Sequence, residues 1–277
     1  MVRKFVKMQG AGNDYIYFDC FAEELKDPSA LAVRLSDRHK GIGGDGIVLI
    51  SKSGVADAKM RMFNADGSEG KMCGNAIRCV GKYLYDSGIV QKEDVRIETA
   101  SGIKSLKLYA GGGSVRQVCV DMGPADFTAA NVPVLCSGER AVGMPLLVGG
   151  RKYSVTCVSM GNPHCVVFED PESVDLEKIG PLFENHPAFP ERVNTEFAAK
   201  TGERSLKMRV WERGSGETMA CGTGACAAAA AAVALGMFPR GEDIAVDVRG
   251  GRLIIRVGDT VLMTGPAETV FTGEIVL

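Results

Sequence analysis

Two cysteines stand where a sulfur could do acid/base chemistry. Cys73, in Met72-Cys73-Gly74-Asn75-Ala76-Ile77-Arg78-Cys79, and Cys221, in Ala220-Cys221-Gly222-Thr223-Gly224-Ala225-Cys226, each precede a run with helical spacing. A residue at a helix start faces unpaired backbone N–H groups and the positive end of the helix dipole, both of which favour thiolate over thiol. Two sulfurs in matched settings suit a carbon that must lose a proton on one face and gain one on the other. The N–H groups at the two helix starts would bind a carboxylate and stabilise charge that develops on it. Such a scheme requires neither a metal nor an organic cofactor.

The elements that must position these sulfurs are themselves stated twice. Arg61-Met62-Phe63-Asn64 leads into Cys73, and Arg209-Val210-Trp211-Glu212 leads into Cys221. The Arg lies twelve positions before the Cys in both copies, and Glu69 and Glu217 lie four before it. The arginines and the cysteines repeat at an offset of 148, and Gly12-Asn13 answers Gly161-Asn162 at 149. Met122-Gly123-Pro124-Ala125 answers Thr264-Gly265-Pro266-Ala267 at 142, so the second copy is shorter near its end. Ordered matches at near-constant offset imply an internal duplication. The expected division is 1–121 with 267–277 for the repeat carrying Cys73, and 122–266 for the repeat carrying Cys221.

Strands outnumber helices in this pattern, and each repeat carries one apolar helix that starts at its cysteine. The expected fold is α/β (α+β): two pseudo-symmetric repeats, each a curved, mainly antiparallel sheet wrapped around that helix, with the active site in the cleft between them. Helices are expected at Pro28–Leu35 and Val174–Ile179, and strands at Phe5–Met8, Tyr15–Phe18, Ile47–Ile50 and Lys59–Phe63. Gly41-Ile42-Gly43-Gly44-Asp45-Gly46 satisfies GxGxxG, yet a helix precedes it and a strand follows. That order is the reverse of a dinucleotide site, so the segment is read as a tight loop, with Asp45 structural.

The 277 residues carry 32 basic and 34 acidic side chains, a formal charge of −2, with no long block of one sign. Neither nucleic acid nor an anionic membrane has an electrostatic footprint here. The N-terminus lacks an apolar signal segment, and the uncharged stretch Met219–Phe238 is too rich in Ala and Gly for a membrane span, so it is assigned to a buried core helix. Nine cysteines without a CxxC pair, and three scattered histidines, suggest reduced thiols, a cytoplasmic protein and no metal site.

The longer motifs resemble a known family. Met8-Gln9-Gly10-Ala11-Gly12-Asn13-Asp14, Phe63-Asn64-Ala65-Asp66-Gly67-Ser68-Glu69, Cys73-Gly74-Asn75, Met160-Gly161-Asn162-Pro163-His164 and Glu212-Arg213-Gly214-Ser215-Gly216-Glu217-Thr218 are similar to diaminopimelate epimerase across essentially the whole chain. The resemblance implies interconversion of LL- and meso-diaminopimelate without pyridoxal phosphate, in lysine and peptidoglycan precursor biosynthesis. It makes Cys73 and Cys221 the acid/base pair, with His164 and Glu212 supporting. Gly74, Asn75, Gly222 and Thr223 would hold the reacting carboxylate; Asn13, Asn64, Asn162, Asn194, Glu212 and Arg213 would read the distal end. Some members carry glutamine where this chain has Gly46. A small-molecule substrate is the expected partner, and a homodimer is compatible with it. Two rival readings are a proline-racemase-like or hydroxyproline-epimerase-like enzyme, and a thiol redox sensor that uses Cys73 and Cys221.

Overall fold

The computed structural model describes residues 2–277 and divides into two compact units. One runs to Asp121 and resumes at Thr264–Leu277; the other is Met122–Met263.

In the first unit the strands are β1 (Val2–Gly10), β2 (Asn13–Asp19), β3 (Gly46–Ser51), β4 (Ala58–Asn64), the two-residue β5 (Glu69–Gly70), β6 (Asp94–Thr99), β7 (Gly102–Gly111) and β8 (Ser114–Asp121). Helix α1 (Pro28–Ser36) lies between β2 and β3, and α2 (Gly74–Asp86) between β5 and β6. β1 pairs antiparallel with β2, β2 parallel with β3, β3 antiparallel with β4, β4 parallel with β6, and β6–β7–β8 form an antiparallel meander.

The second unit repeats the plan. Its elements are β9 (Met144–Val148), β10 (Arg151–Ser159), β11 (Pro163–Phe168), α3 (Leu176–Glu184), β12 (Asn194–Gly202), β13 (Ser205–Glu212), β14 (Gly216–Glu217), α4 (Gly222–Ala234), β15 (Asp243–Val248) and β16 (Gly251–Val257), and β17 (Val261–Pro266) begins in it and ends in the first unit. The same pairings recur in the same order: β10 antiparallel to β11, β11 parallel to β12, β12 antiparallel to β13, β13 parallel to β15 and β15 antiparallel to β16. The final strand, β18 (Glu268–Val276), returns to the first unit and pairs antiparallel with β1, as β9 does with β10. The registers superpose too. Gly46 lies opposite Asn64 on β3–β4, and Tyr15 beside Gly46 on β2–β3; His164 lies beside Asn194 on β11–β12.

Both cysteine helices are enclosed by their own sheets, for different reasons. α4 buries a run from Ala227 to Ala232, and its small side chains let the helix approach the strands closely. It has 13 residues, and among the described residues no helix is long and apolar enough to cross a membrane. α2 departs from the expectation of an apolar helix, because it buries Asn75, Arg78 and Lys82. The Arg78 guanidinium donates to the Gly74 and Pro266 carbonyls at 3.1 and 3.0 Å, and Lys82 Nζ bonds to Asp86, Ser114 and the Val115 carbonyl. Such partners are what allow charge inside a fold.

The helix expected at Val174–Ile179 begins instead at Leu176 and runs on to Glu184, through Pro181. Pro171–Ser173 before it is a single 3₁₀ turn capped by Asp170.

Candidate active site

Each cysteine caps its helix. Cys73 and Cys221 have extended backbone, their carbonyls accept the first helical N–H (Ile77 at 3.0 Å, Ala225 at 2.9 Å), and their sulfurs accept a backbone N–H three residues on. Ala76 N donates to Cys73 Sγ at 3.5 Å and Gly224 N to Cys221 Sγ at 3.4 Å. Upstream of both lies a bidentate ion pair that braces the turn: Arg61 with Glu69, and Arg209 with Glu217.

Around Cys73 the thiol donates to Asn13 Oδ1 at 3.4 Å. Asn13 Nδ2 donates in turn to Asp45 Oδ2 at 2.7 Å, and the same oxygen accepts the Asp14 backbone N–H at 3.0 Å. Arg38 bridges Asp14 and Asp45, and the buried Lys7 bonds Asp14 at 2.6 Å and the Gly43 carbonyl. Burial works against the Asp14 carboxylate, but hydrogen bonds from Arg38 and Lys7 outweigh it and hold its pKa below the ordinary value. Asp45 goes the other way, pushed up chiefly by burial. Asn64, at the end of β4, donates to Ser68 Oγ at 3.0 Å.

Around Cys221 the setting is more enclosed. Burial pushes its thiol well above the ordinary value, and the carboxylates of Glu212 and Glu196 push the same way; the bonds from Thr223 and Gly224 pull back without winning. At Cys221 loss of solvent and two like charges thus oppose the thiolate that the helix start favours. Glu212 accepts from Thr218 Oγ1 at 2.5 Å, and burial raises its pKa. Thr223 Oγ1 lies 3.4 Å from Cys221 Sγ and accepts from Asn162 Nδ2 at 3.3 Å.

His164 is fully buried, with Nδ1 2.7 Å from Glu196 Oε1 and Nε2 3.0 Å from Asn162 Oδ1. Both ring nitrogens are thus engaged, and the ring orients Asn162. Asn194 donates to the Pro163 carbonyl at 2.9 Å and accepts the Arg213 N–H at 2.9 Å, so its amide fixes the loop after β13 against β11. Arg213 extends from that loop, with Nη1 2.8 Å from the Glu191 carbonyl.

Gly46 is the repeat counterpart of Asn194 and cannot carry an equivalent side chain. A Cβ there would meet the Phe63 carbonyl oxygen at 2.0 Å and Tyr15 Cε1 at 2.7 Å.

Glu196 is the site residue that sequence reasoning missed. Its signal was a lone carboxylate in the otherwise uncharged strand stretch Asn194-Thr195-Glu196-Phe197-Ala198, on the same face as Asn194. Lys7, Arg38 and Asp14 gave no comparable signal, because surface and buried charges look alike in sequence.

The sequence profile of the diaminopimelate epimerase family matches residues 5–128 and 156–270. The chain is 51% identical to the diaminopimelate epimerase of Desulfovibrio desulfuricans, over 98% of this chain and 97% of that one. It is also 51% identical to that of Acetivibrio thermocellus, over 98% of each. Among solved structures it is similar to a probable proline racemase from Agrobacterium radiobacter, with a TM-score of 0.70 at 16% identity, over 99% of this chain and 93% of that one. At that identity the likeness speaks for the fold.

Proposed function

The chain belongs to the diaminopimelate epimerase family, and from that premise we propose that it interconverts LL- and meso-diaminopimelate by proton transfer between two sulfurs. The observation that carries the reading is the repeated cysteine cap: two sulfurs, 148 positions apart, in the same backbone setting at the same step of two equivalent repeats. One sulfur removes the α-proton as thiolate while the other, as thiol, delivers a proton to the opposite face. The raised proton affinity of Cys221 suits it to hold the proton in the resting enzyme. Backbone N–H groups of Gly74, Asn75, Gly222 and Thr223, at two helix starts, suit the reacting carboxylate and the charge it gains in the transition state.

The distal end of the substrate falls to Asn64, Asn162, Glu212 and Arg213, a set able to bind both a carboxylate and an ammonium. Asn194 acts through the Arg213 backbone it holds, and Asn13 through the sulfur it faces. Proline and hydroxyproline lack a second amino-acid end, so this polar set argues against a proline-racemase-like activity despite the shared fold. A redox sensor would have no use for it either. A cytosolic location and a homodimer belong to the same reading. The outer strand β18, which exposes Val270, Phe271 and Val276, supports the dimer, and light scattering tests it.

The test is to incubate the reduced protein with LL-diaminopimelate in deuterated water and follow the α-position by NMR. Inversion with deuterium incorporation is expected. Cys73→Ala and Cys221→Ala should each lose inversion by about 10³-fold or more, since each removes a positioned acid or base. Each should still wash deuterium into one epimer through its surviving sulfur. Substantial inversion by either folded variant would end the two-sulfur reading.

A further inference from the structure

Asn13 and Asn162 hold equivalent places in the two repeats, yet their amides are turned by different neighbours. Asn162 presents its oxygen to His164 Nε2 and its nitrogen to Thr223. Asn13 presents its nitrogen to Asp45 and its oxygen to Cys73 Sγ. We propose that Asp45 is a positioning residue for Cys73: by accepting the Asn13 amide N–H it turns the Asn13 carbonyl onto the sulfur, where it holds the S–H.

The argument is one of donors and acceptors. An ionised carboxylate can only accept, so whatever faces Asp45 Oδ2 must be an N–H. Two donors already converge there, Asn13 Nδ2 and the Asp14 backbone N–H, while Oδ1 takes the Arg38 guanidinium at 3.0 Å. The amide of Asn13 has one nitrogen and one oxygen on a planar group. With the nitrogen committed to Asp45, the oxygen is left for Cys73, and an oxygen can only accept from the thiol. Turned over, the same amide would offer N–H to the sulfur and favour thiolate instead.

Asp45 is itself held in place. Its backbone N–H donates to the Asp14 carbonyl at 2.7 Å, its carbonyl accepts from Ala65 N at 3.0 Å, and Lys7, Arg38 and Asp14 are the charged groups around it. The repeat counterpart of Asp45 is Val193, so the device exists at one sulfur only.

Its catalytic meaning rests on the proposed two-sulfur reading, but its test needs no turnover. The pH dependence of Cys73 alkylation by iodoacetamide, followed by peptide mass spectrometry, reports the proton on that sulfur directly. Asp45→Ala frees the Asn13 amide to turn, and the Cys73 alkylation midpoint should fall by about 0.5 to 1 pH unit, the size of one modest hydrogen bond. Asp45→Asn still offers one oxygen to Asn13 and the Asp14 N–H, with its NH₂ turned toward the exposed Arg38, which can swing away. Its midpoint should stay near wild type.

This pair separates orientation from charge. If Asp45 acted by its charge alone, both variants would lower the midpoint equally, and the proposal would be wrong. An unchanged or raised midpoint in Asp45→Ala would overturn it as well. Should Asp45→Ala fail to fold, Asn13→Ala tests the same contact while leaving the Asp45 bonds to Asp14 and Arg38 intact. Loss of the acceptor should again lower the midpoint, and no change there would overturn the proposal.

Discussion

Gly224→Ala probes the tightest packing at the second cysteine. A Cβ at Gly224 would lie 2.6 Å from Glu196 Oε1, 3.2 Å from Cys221 Cβ and 3.3 Å from Cys221 Sγ. Ordinary contact begins near 3.4 Å, so the Glu196 carboxylate would have to move by the better part of 1 Å while bonded to His164 at 2.7 Å. Overpacking of this kind costs about 1–3 kcal/mol. Ala in place of Gly inside a helix returns about 1 kcal/mol, which leaves a net loss of about 0–2 kcal/mol. The first repeat shows why the glycine is there: its counterparts of Gly224 and Glu196 are Ala76 and Val48, both fully buried. Glu196→Val alone should cost about 1–3 kcal/mol, because His164 Nδ1 loses its buried acceptor. The double variant Glu196→Val/Gly224→Ala copies the first repeat and removes the clash. It should therefore be less destabilised than the sum of the singles by at least about 1 kcal/mol. Urea unfolding followed by Trp211, the chain's one tryptophan and a reporter of this unit, measures all four proteins. Additivity within about 0.5 kcal/mol, or a Gly224→Ala protein more stable than wild type, would refute the reasoning.

Glu212→Gln removes one of the two carboxylates that oppose ionisation of Cys221, so alkylation of Cys221 should begin at lower pH than in wild type; a midpoint that rises would contradict the assignment. The equivalent pairs Arg61–Glu69 and Arg209–Glu217 differ in burial, Glu69 being 41% exposed and Glu217 7%. Arg61→Ala should cost under about 1 kcal/mol, whereas Arg209→Ala, which also abandons the Pro171 and Val174 carbonyls, should cost about 2–3 kcal/mol by chemical denaturation. Burial and the neighbouring Asp19 push Tyr83 up to about 12 from an ordinary 10. Its contribution to stability is therefore present below pH 10 and lost as pH rises towards 12, and Tyr83→Phe should flatten the melting temperature across that window. Lysine lacks the distal carboxylate that Arg213 is proposed to bind, and should turn over about 10³-fold more slowly or worse than diaminopimelate in the NMR assay.

The repeat was legible because backbone constraints repeat in sequence. Gly12 and Gly161 adopt φ 84° and 91° at matched turns, and the Arg–Glu braces keep their twelve- and four-residue spacing to the cysteines. Periodicity located the strands and both cysteine helices, since alternation and apolar runs follow directly from which face is covered. What stayed hidden depends on contacts between distant strands. Asp45 reaches Asn13 across 32 positions, and Glu196 reaches His164 across the same number, through parallel pairing that no local pattern reveals. The surroundings of Cys221, its burial first and then the Glu212 and Glu196 carboxylates, stayed out of view in the same way. Its helix start is visible in sequence, whereas the approach of Glu196 from a neighbouring strand is not.

The two repeats share a backbone but not a chemistry, and the reaction gives a reason. Epimerisation needs one sulfur charged and one protonated at the start of each turnover, so a perfectly symmetric pair would have to break its symmetry every time. Here the surroundings already differ. Cys221 is enclosed beside Glu212, Glu196 and the Thr223 hydroxyl, while Cys73 is half-buried and faces an amide carbonyl backed by Asp45 and Arg38. Diaminopimelate is symmetric in its groups but presents its two ends differently once one end is bound. If Glu212 and Arg213, both of the second repeat, bind the distal end as proposed, the charged part of that end is fixed on one side and the two faces of the reacting carbon are treated unequally. Duplication supplied two equal helix starts, and the residues that later diverged around them, Asp45 against Val193 and Glu196 against Val48, are those that set each sulfur's proton.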